Sequence, residues 1–119
     1  MRPWMAAAMD AVLVLVFAAV GRASHDESGA VLATLAVAAP FLTGLAVGWL
    51  IVHERSGRWP LTLGRGIPVW ASTLVIGVLL RAIFDHGIVW PFPIVAGAVL
   101  AVFLLGWRAI AERLTARSR

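Results

Sequence analysis

The feature that most constrains this chain is its second apolar run, Ala30 to Val52, more than twenty residues without one charged side chain. About 20 such residues, rising about 1.5 Å each, suffice to cross a bilayer's hydrocarbon core. Inside that core only a helix or a closed barrel satisfies the backbone amides. Three similar runs accompany it: Trp4 to Val20, broken only by Asp10; Ile67 to Phe84, charged only at Arg81; and one that follows Asp85-His86-Gly87 and ends near Trp107. The chain therefore reads as an all-α polytopic membrane protein. Its single domain, residues 1–119, holds four transmembrane helices in two hairpins, predicted near 4–20, 30–52, 67–84 and 90–107, with a basic tail over 108–119.

Composition agrees. The chain is 61% apolar and 13% charged, against about 45–50% and 25% in soluble domains. A water-soluble fold of 119 residues has too little interior to hide that hydrocarbon. The Arg2 start and the small residues near Ser24 fit a cleaved signal peptide loosely, but Asp10 falls where its core should be apolar. The first run is accordingly read as a helix.

Trp4, Trp49, Trp70, Trp90 and Trp107 all fall near predicted helix ends, the positions of an interfacial aromatic belt. One side of the membrane would collect Arg2, Arg55, Arg58, Arg65, Arg108, Arg113, Arg117 and Arg119; the other has Arg22 and, near a helix end, Arg81. The positive-inside rule then places both termini in the cytoplasm. The cytoplasmic face, including the tail from Arg108 onward, is expected to lie on anionic lipid. Nucleic acid is not an expected partner.

Pro68 and Pro91 are placed at helix starts, where a missing N–H costs little. Pro40 lies inside the second helix and is expected to kink it. Gly44 and Gly48 form a G-x-x-x-G pattern on the same helix, suited to close packing within the chain or between copies. A short internal repeat is also visible. Arg22-Ala23 with Asp26 matches Arg81-Ala82 with Asp85, and each is followed about 25 residues later by Gly-Trp, at Gly48-Trp49 and Gly106-Trp107. If real, it relates the two hairpins as parallel repeats.

Ionisable residues within spans are functional candidates by default. Asp10 lies roughly 9 Å into the first helix, at about 1.5 Å per residue. It could be held neutral, bind a cation or proton, pair with an arginine at the cytoplasmic end, or rest near the helix N-terminus, wetted from the interface. Arg81, near the end of the third helix, can snorkel and reach Asp85 one turn on. The outer links gather Arg22, His25, Asp26, Glu27, Asp85 and His86 beside Arg81. That set could hold an anion through its arginines, hold a metal through His25, Asp26 and His86, or form a solvated cap.

The absence of cysteine and lysine excludes thiolate sites, a Schiff-base lysine and a P-loop lysine. No paired nucleophile and base, glycine-rich phosphate loop or zinc-protease helix is present. No catalytic residue is assigned, and any cofactor is left open.

Several of these residues carry a family resemblance: Gly21-Arg22-Ala23-Ser24-His25-Asp26, Ala39-Pro40-Phe41-Leu42, the series Thr73, Gly77 and Arg81, and Gly106-Trp107-Arg108. On them the chain resembles a family of uncharacterised membrane proteins frequent in actinobacteria, the domain of unknown function numbered three thousand and fifty-four. The resemblance implies four helices in a bacterial plasma membrane and no established activity. Small multidrug exporters are similar in having four short helices and an acidic residue in the first, the place Asp10 holds here.

Three functional expectations follow: a small transporter or channel-like protein working as a homodimer; a non-catalytic accessory or assembly subunit of a larger membrane complex; and an enzyme acting on lipid headgroups through the outer cluster.

Overall fold

A computed structural model describes residues 2–22, 30–84 and 92–117. They form α1 (Pro3–Arg22), α2 (Ala30–Ser56), α3 (Leu63–Phe84), α4 (Phe92–Leu100), a five-residue π-helical turn (Ala101–Leu105) and α5 (Gly106–Arg117). The π turn joins α4 and α5 into one rod, so the described residues make four long helices. All four are long and apolar enough to cross a membrane, as the hydropathy requires.

Local chemistry sets the link between α2 and α3. Gly57, at φ 73°, ends α2, and its N–H donates to the His53 carbonyl at 2.8 Å. This is the left-handed C-terminal position glycine occupies without a Cβ clash. The Ser56 hydroxyl donates to the Val52 carbonyl at 2.7 Å. At the start of α3, the Thr62 hydroxyl accepts the Arg65 N–H at 3.2 Å. The Leu63 N–H, one of the first-turn donors left over by any helix, donates to the Glu112 carboxylate of α5. The connection is shorter than the sequence suggests: His53 belongs to α2, and Pro68 lies inside α3 rather than at its start.

α2 and α3 approach closely, and glycine lets them. A Cβ on Gly44 would stand 2.7 Å from the Ser72 carbonyl oxygen, and one on Gly48 would stand 3.0 Å from the Val69 Cα. The G-x-x-x-G face is thus used within the monomer. The Ser72 hydroxyl donates to the Gly44 carbonyl at 2.8 Å, a bond only such an approach permits. One turn away, fully buried Phe41 packs where a Gly77 Cβ would be, 2.3 Å from its ring. Phe41 also meets Phe17 edge-on at 5.1 Å and Phe92 at 6.3 Å. One ring therefore bridges α1, α2, α3 and α4.

Candidate functional site

Asp10 is fully buried, and its four acceptor positions are all used. Oδ1 accepts the Trp107 indole N–H at 2.8 Å and Arg108 Nη1 at 2.9 Å. Oδ2 accepts the Trp49 indole N–H at 2.8 Å and Arg108 Nη2 at 2.7 Å. Arg108 is equally buried and equally spent. Beyond Asp10, Nη1 donates to the Leu104 carbonyl at 2.7 Å, while Nε and Nη2 share the Pro60 carbonyl at 3.1 and 2.8 Å. A guanidinium carries five N–H donors and a carboxylate about four acceptor sites. Each is matched.

This completeness is what makes the pair tolerable. Moving either charge out of water costs several kcal/mol even after relaxation, and the mutual attraction offsets it only when the remaining donors and acceptors are satisfied. The network also joins three of the four long helices and the α2–α3 link at the bundle's basic end. Asp10 comes from α1, Trp49 from α2, Pro60 from the link, Leu104 from the π turn, and Trp107 and Arg108 from α5.

Two backbone features aim Arg108 inward. Ala96, Leu100, Leu104 and Arg108 are all buried, each four residues from the last. At about 100° per residue, such steps drift about 40° each around an α-helix. The wider π turn over Ala101–Leu105 takes up that drift, as such turns do where a side chain must be re-aimed. Gly66 of α3 then leaves the space: a Cβ there would lie 2.5 Å from Arg108 Cδ. The Arg108 guanidinium also stacks on the Trp107 ring at 4.6 Å.

Three expectations change here. Arg108 is not part of a tail lying on lipid; the helix continues through it and buries it. Nor do Trp49 and Trp107 act as an interfacial belt, since both indole N–H groups point at Asp10. Trp70 also donates inward, to the Gly97 carbonyl at 2.9 Å. Of the four states open to Asp10, the structure places it in the pair with an arginine of its own end. The two Gly-Trp pairs of the internal repeat converge on that one carboxylate, one indole per oxygen. Beside this cluster, His53 stacks on Trp59 at 3.8 Å and Trp59 lies 5.8 Å from Trp49.

Arg81 lies towards the far end of the bundle, its guanidinium 4.8 Å over the Phe92 ring. It edges an open groove of about 270 Å³ between α2 and α3, lined by Ala36, Ala39, Pro40, Thr43, Leu80 and Phe84. The remaining outer candidates, His25, Asp26, Glu27, Asp85 and His86, lie outside the described residues, as does the side chain of Arg22. The metal candidates His25, Asp26 and His86 are among them. Trp90 and Pro91 also lie outside.

No curated protein and no solved structure matches the chain. A family model described as protein of unknown function (DUF3054) matches residues 7–111, from before Asp10 to beyond Arg108. The chain, with four helices fit to cross a membrane and a buried ion pair at one end, belongs to that family.

Proposed function

We propose that the chain is a non-catalytic membrane subunit, a self-contained four-helix body that works by packing against another membrane component. One observation carries the reading: every donor and acceptor of Asp10 and Arg108 is used inside the bundle. A carrier or channel using Asp10 needs that carboxylate to exchange partners during its cycle. Here exchange would strand a buried arginine, at a cost of about 3–5 kcal/mol for breaking such a pair. The glycine face offered for a dimer is occupied by α3 within the same chain. Of the features that pointed towards a homodimeric transporter, the Pro40 position inside α2 and the outer polar links are left.

A buried polar cluster that is satisfied within the bundle suits a subunit whose role is positional. Isolation of the tagged chain from its native membrane in mild detergent tests this reading. A heteromeric complex of fixed stoichiometry is the expected result. Recovery only as a monomer or self-dimer, at native abundance and in several detergents, overturns it.

A further inference from the structure

We propose that the basic end of the bundle is a seat for acidic phospholipid headgroups, held by Arg2, Arg55, Arg58, Arg65 and Arg113. The fold changes the charge balance that the sequence suggests here. Arg108 drops out, because Asp10 neutralises it inside the bundle. Among the described residues, no hydrogen bond, ion pair or ring contact occupies the other five guanidinium groups. Arg2, Arg55, Arg58 and Arg113 are exposed and Arg65 is half-buried. Two carboxylates share this end, Glu54 and Glu112, and the second already accepts the Leu63 N–H.

These arginines lie in one layer, for which the buried pair serves as a ruler. Arg55 is six residues beyond Trp49, Arg113 is five beyond Arg108, and Arg2 is eight before Asp10. At about 1.5 Å per residue they stand roughly 8–12 Å outside the pair. Arg2 caps α1, its carbonyl accepting the Met5 and Ala6 N–H groups at 3.0 and 3.3 Å. Arg58 is two residues before Pro60, whose carbonyl Arg108 holds. Arg65 is two after Leu63, which Glu112 holds. The spread along the bundle axis fits a headgroup region, which is about 5–8 Å thick on each side of the hydrocarbon.

The neighbours of these arginines favour lipid over an acidic protein. On α5, Ile110, Arg113 and Leu114 follow the i, i+3, i+4 spacing of one helix face. Ile110 is 62% and Leu114 60% exposed, while Arg108 and Glu112 of the same helix turn to partners in the bundle. On α1, Arg2 precedes Trp4 and Met5, 65% and 45% exposed. A guanidinium set among exposed apolar side chains can reach phosphate while its neighbours rest in hydrocarbon. Its planar fork then takes phosphate oxygens in pairs. An acidic protein surface would leave those apolar groups in water.

The test is native mass spectrometry of the full chain released from nanodiscs of phosphatidylglycerol and phosphatidylcholine in equal parts. Wild-type protein should retain phosphatidylglycerol well above its share of the disc, and the excess should shrink as sodium chloride is raised. The triple variant Arg55→Gln, Arg58→Gln, Arg113→Gln should retain lipid close to the disc composition. Each arginine lost should lower the excess by up to about five-fold, the strength of one basic side chain at an anionic surface. Glu54→Gln, which removes a negative charge from the same end, should raise it. The variant Asp10→Leu, Arg108→Met also deletes an arginine from this end, yet should leave the excess unchanged.

Retention in disc proportions by wild type overturns the proposal, as does an excess that survives the triple variant. If the triple variant keeps its lipid excess but loses a heteromeric partner on isolation from the native membrane, this end docks an acidic protein instead. A loss in Asp10→Leu, Arg108→Met equal to that in Arg113→Gln also counts against it, since the number of arginines and not their exposure would then set the excess. Should the pair variant fail to fold, the triple variant set against Glu54→Gln decides, because all four of those side chains are exposed.

Discussion

Two regions of this bundle, its basic end and its middle, are held by opposite means. Around Asp10 the helices are joined by charge and hydrogen bonds, with Arg108, Trp49 and Trp107 meeting one carboxylate. Around Phe41 and Gly44 they are joined by shape, with backbones brought together by the lack of side chains and a ring filling the place of a Cβ. A membrane explains why both are needed. Lipid tails are as apolar as leucine, so burying apolar surface contributes little between helices, and association falls to close packing and polar bonds. The polar end fixes which residues must meet, because only one register satisfies every donor and acceptor. The packed middle fixes how closely the helices approach.

The largest effect that can break this contrast is Arg108→Ala. Removing one partner of a buried ion pair strands the other, a loss of about 3–5 kcal/mol. Reversible unfolding in mixed micelles, followed by steric trapping, should show it. The double variant Asp10→Leu, Arg108→Met should regain most of that loss, because no charge is then left buried. If Arg108→Ala unfolds within about 1 kcal/mol of wild type, well below the range for a stranded buried charge, the polar end is not what sets the bundle's register.

Next in size are Trp49→Phe and Trp107→Phe. Each keeps a large ring and removes one bond to a charged acceptor, worth about 1.5–3 kcal/mol. The two should be non-additive, since both serve the same carboxylate and its remaining partners can readjust. A double-mutant cycle on unfolding free energies reads that coupling. Strict additivity would mean that the two indoles anchor their helices separately.

How much of this was legible beforehand follows from the same residues. Long charge-free runs give the four helices directly, because hydropathy reports where backbone must be helical. Asp10 stands out for the same reason, as a charge where none is expected. Arg108 does not stand out, because eight arginines lie near the basic side and the run of apolar residues stops just before it. Its burial depends on a π turn that no periodicity announces, although the spacing of Leu100, Leu104 and Arg108 was a usable sign. The tryptophans mislead for a related reason. An indole near a helix end serves equally well as an interfacial anchor or as a donor to a buried acid, and only the three-dimensional position of Asp10 separates the two. Gly66 carries no sequence signal at all for the arginine it accommodates.

The packed middle supplies the next predictions. Gly44→Ala and Gly77→Ala each insert a methyl where no room exists, against backbone in the first case and a buried ring in the second. Overpacking of this kind costs about 1–3 kcal/mol. Gly66→Ala belongs with them in size but strikes the polar end, by pushing on Arg108. Gly21→Ala and Gly106→Ala, which meet nothing within 4 Å, serve as controls. An order in which Gly106→Ala matches Gly44→Ala would remove steric fit as the explanation for the α2–α3 approach.

The smallest expected effect is the most discriminating between the two regions. Ser72→Ala deletes a hydrogen bond to the Gly44 carbonyl at 2.8 Å, no longer than those the tryptophans make to Asp10. Its cost should nonetheless be only about 0.6 kcal/mol, the average for interhelical bonds between neutral groups in membranes. A serine hydroxyl in the unfolded but membrane-embedded chain can turn back to a carbonyl of its own helix, and the Gly44 carbonyl still holds its place in the α2 ladder. Asp10 has no such second home, because a bare carboxylate in hydrocarbon finds nothing nearby that meets four acceptor sites at once. Bonds of equal length thus differ in worth by what each group could do without them. A Ser72→Ala loss as large as that of Trp49→Phe would show that geometry, rather than charge, sets the scale in both regions.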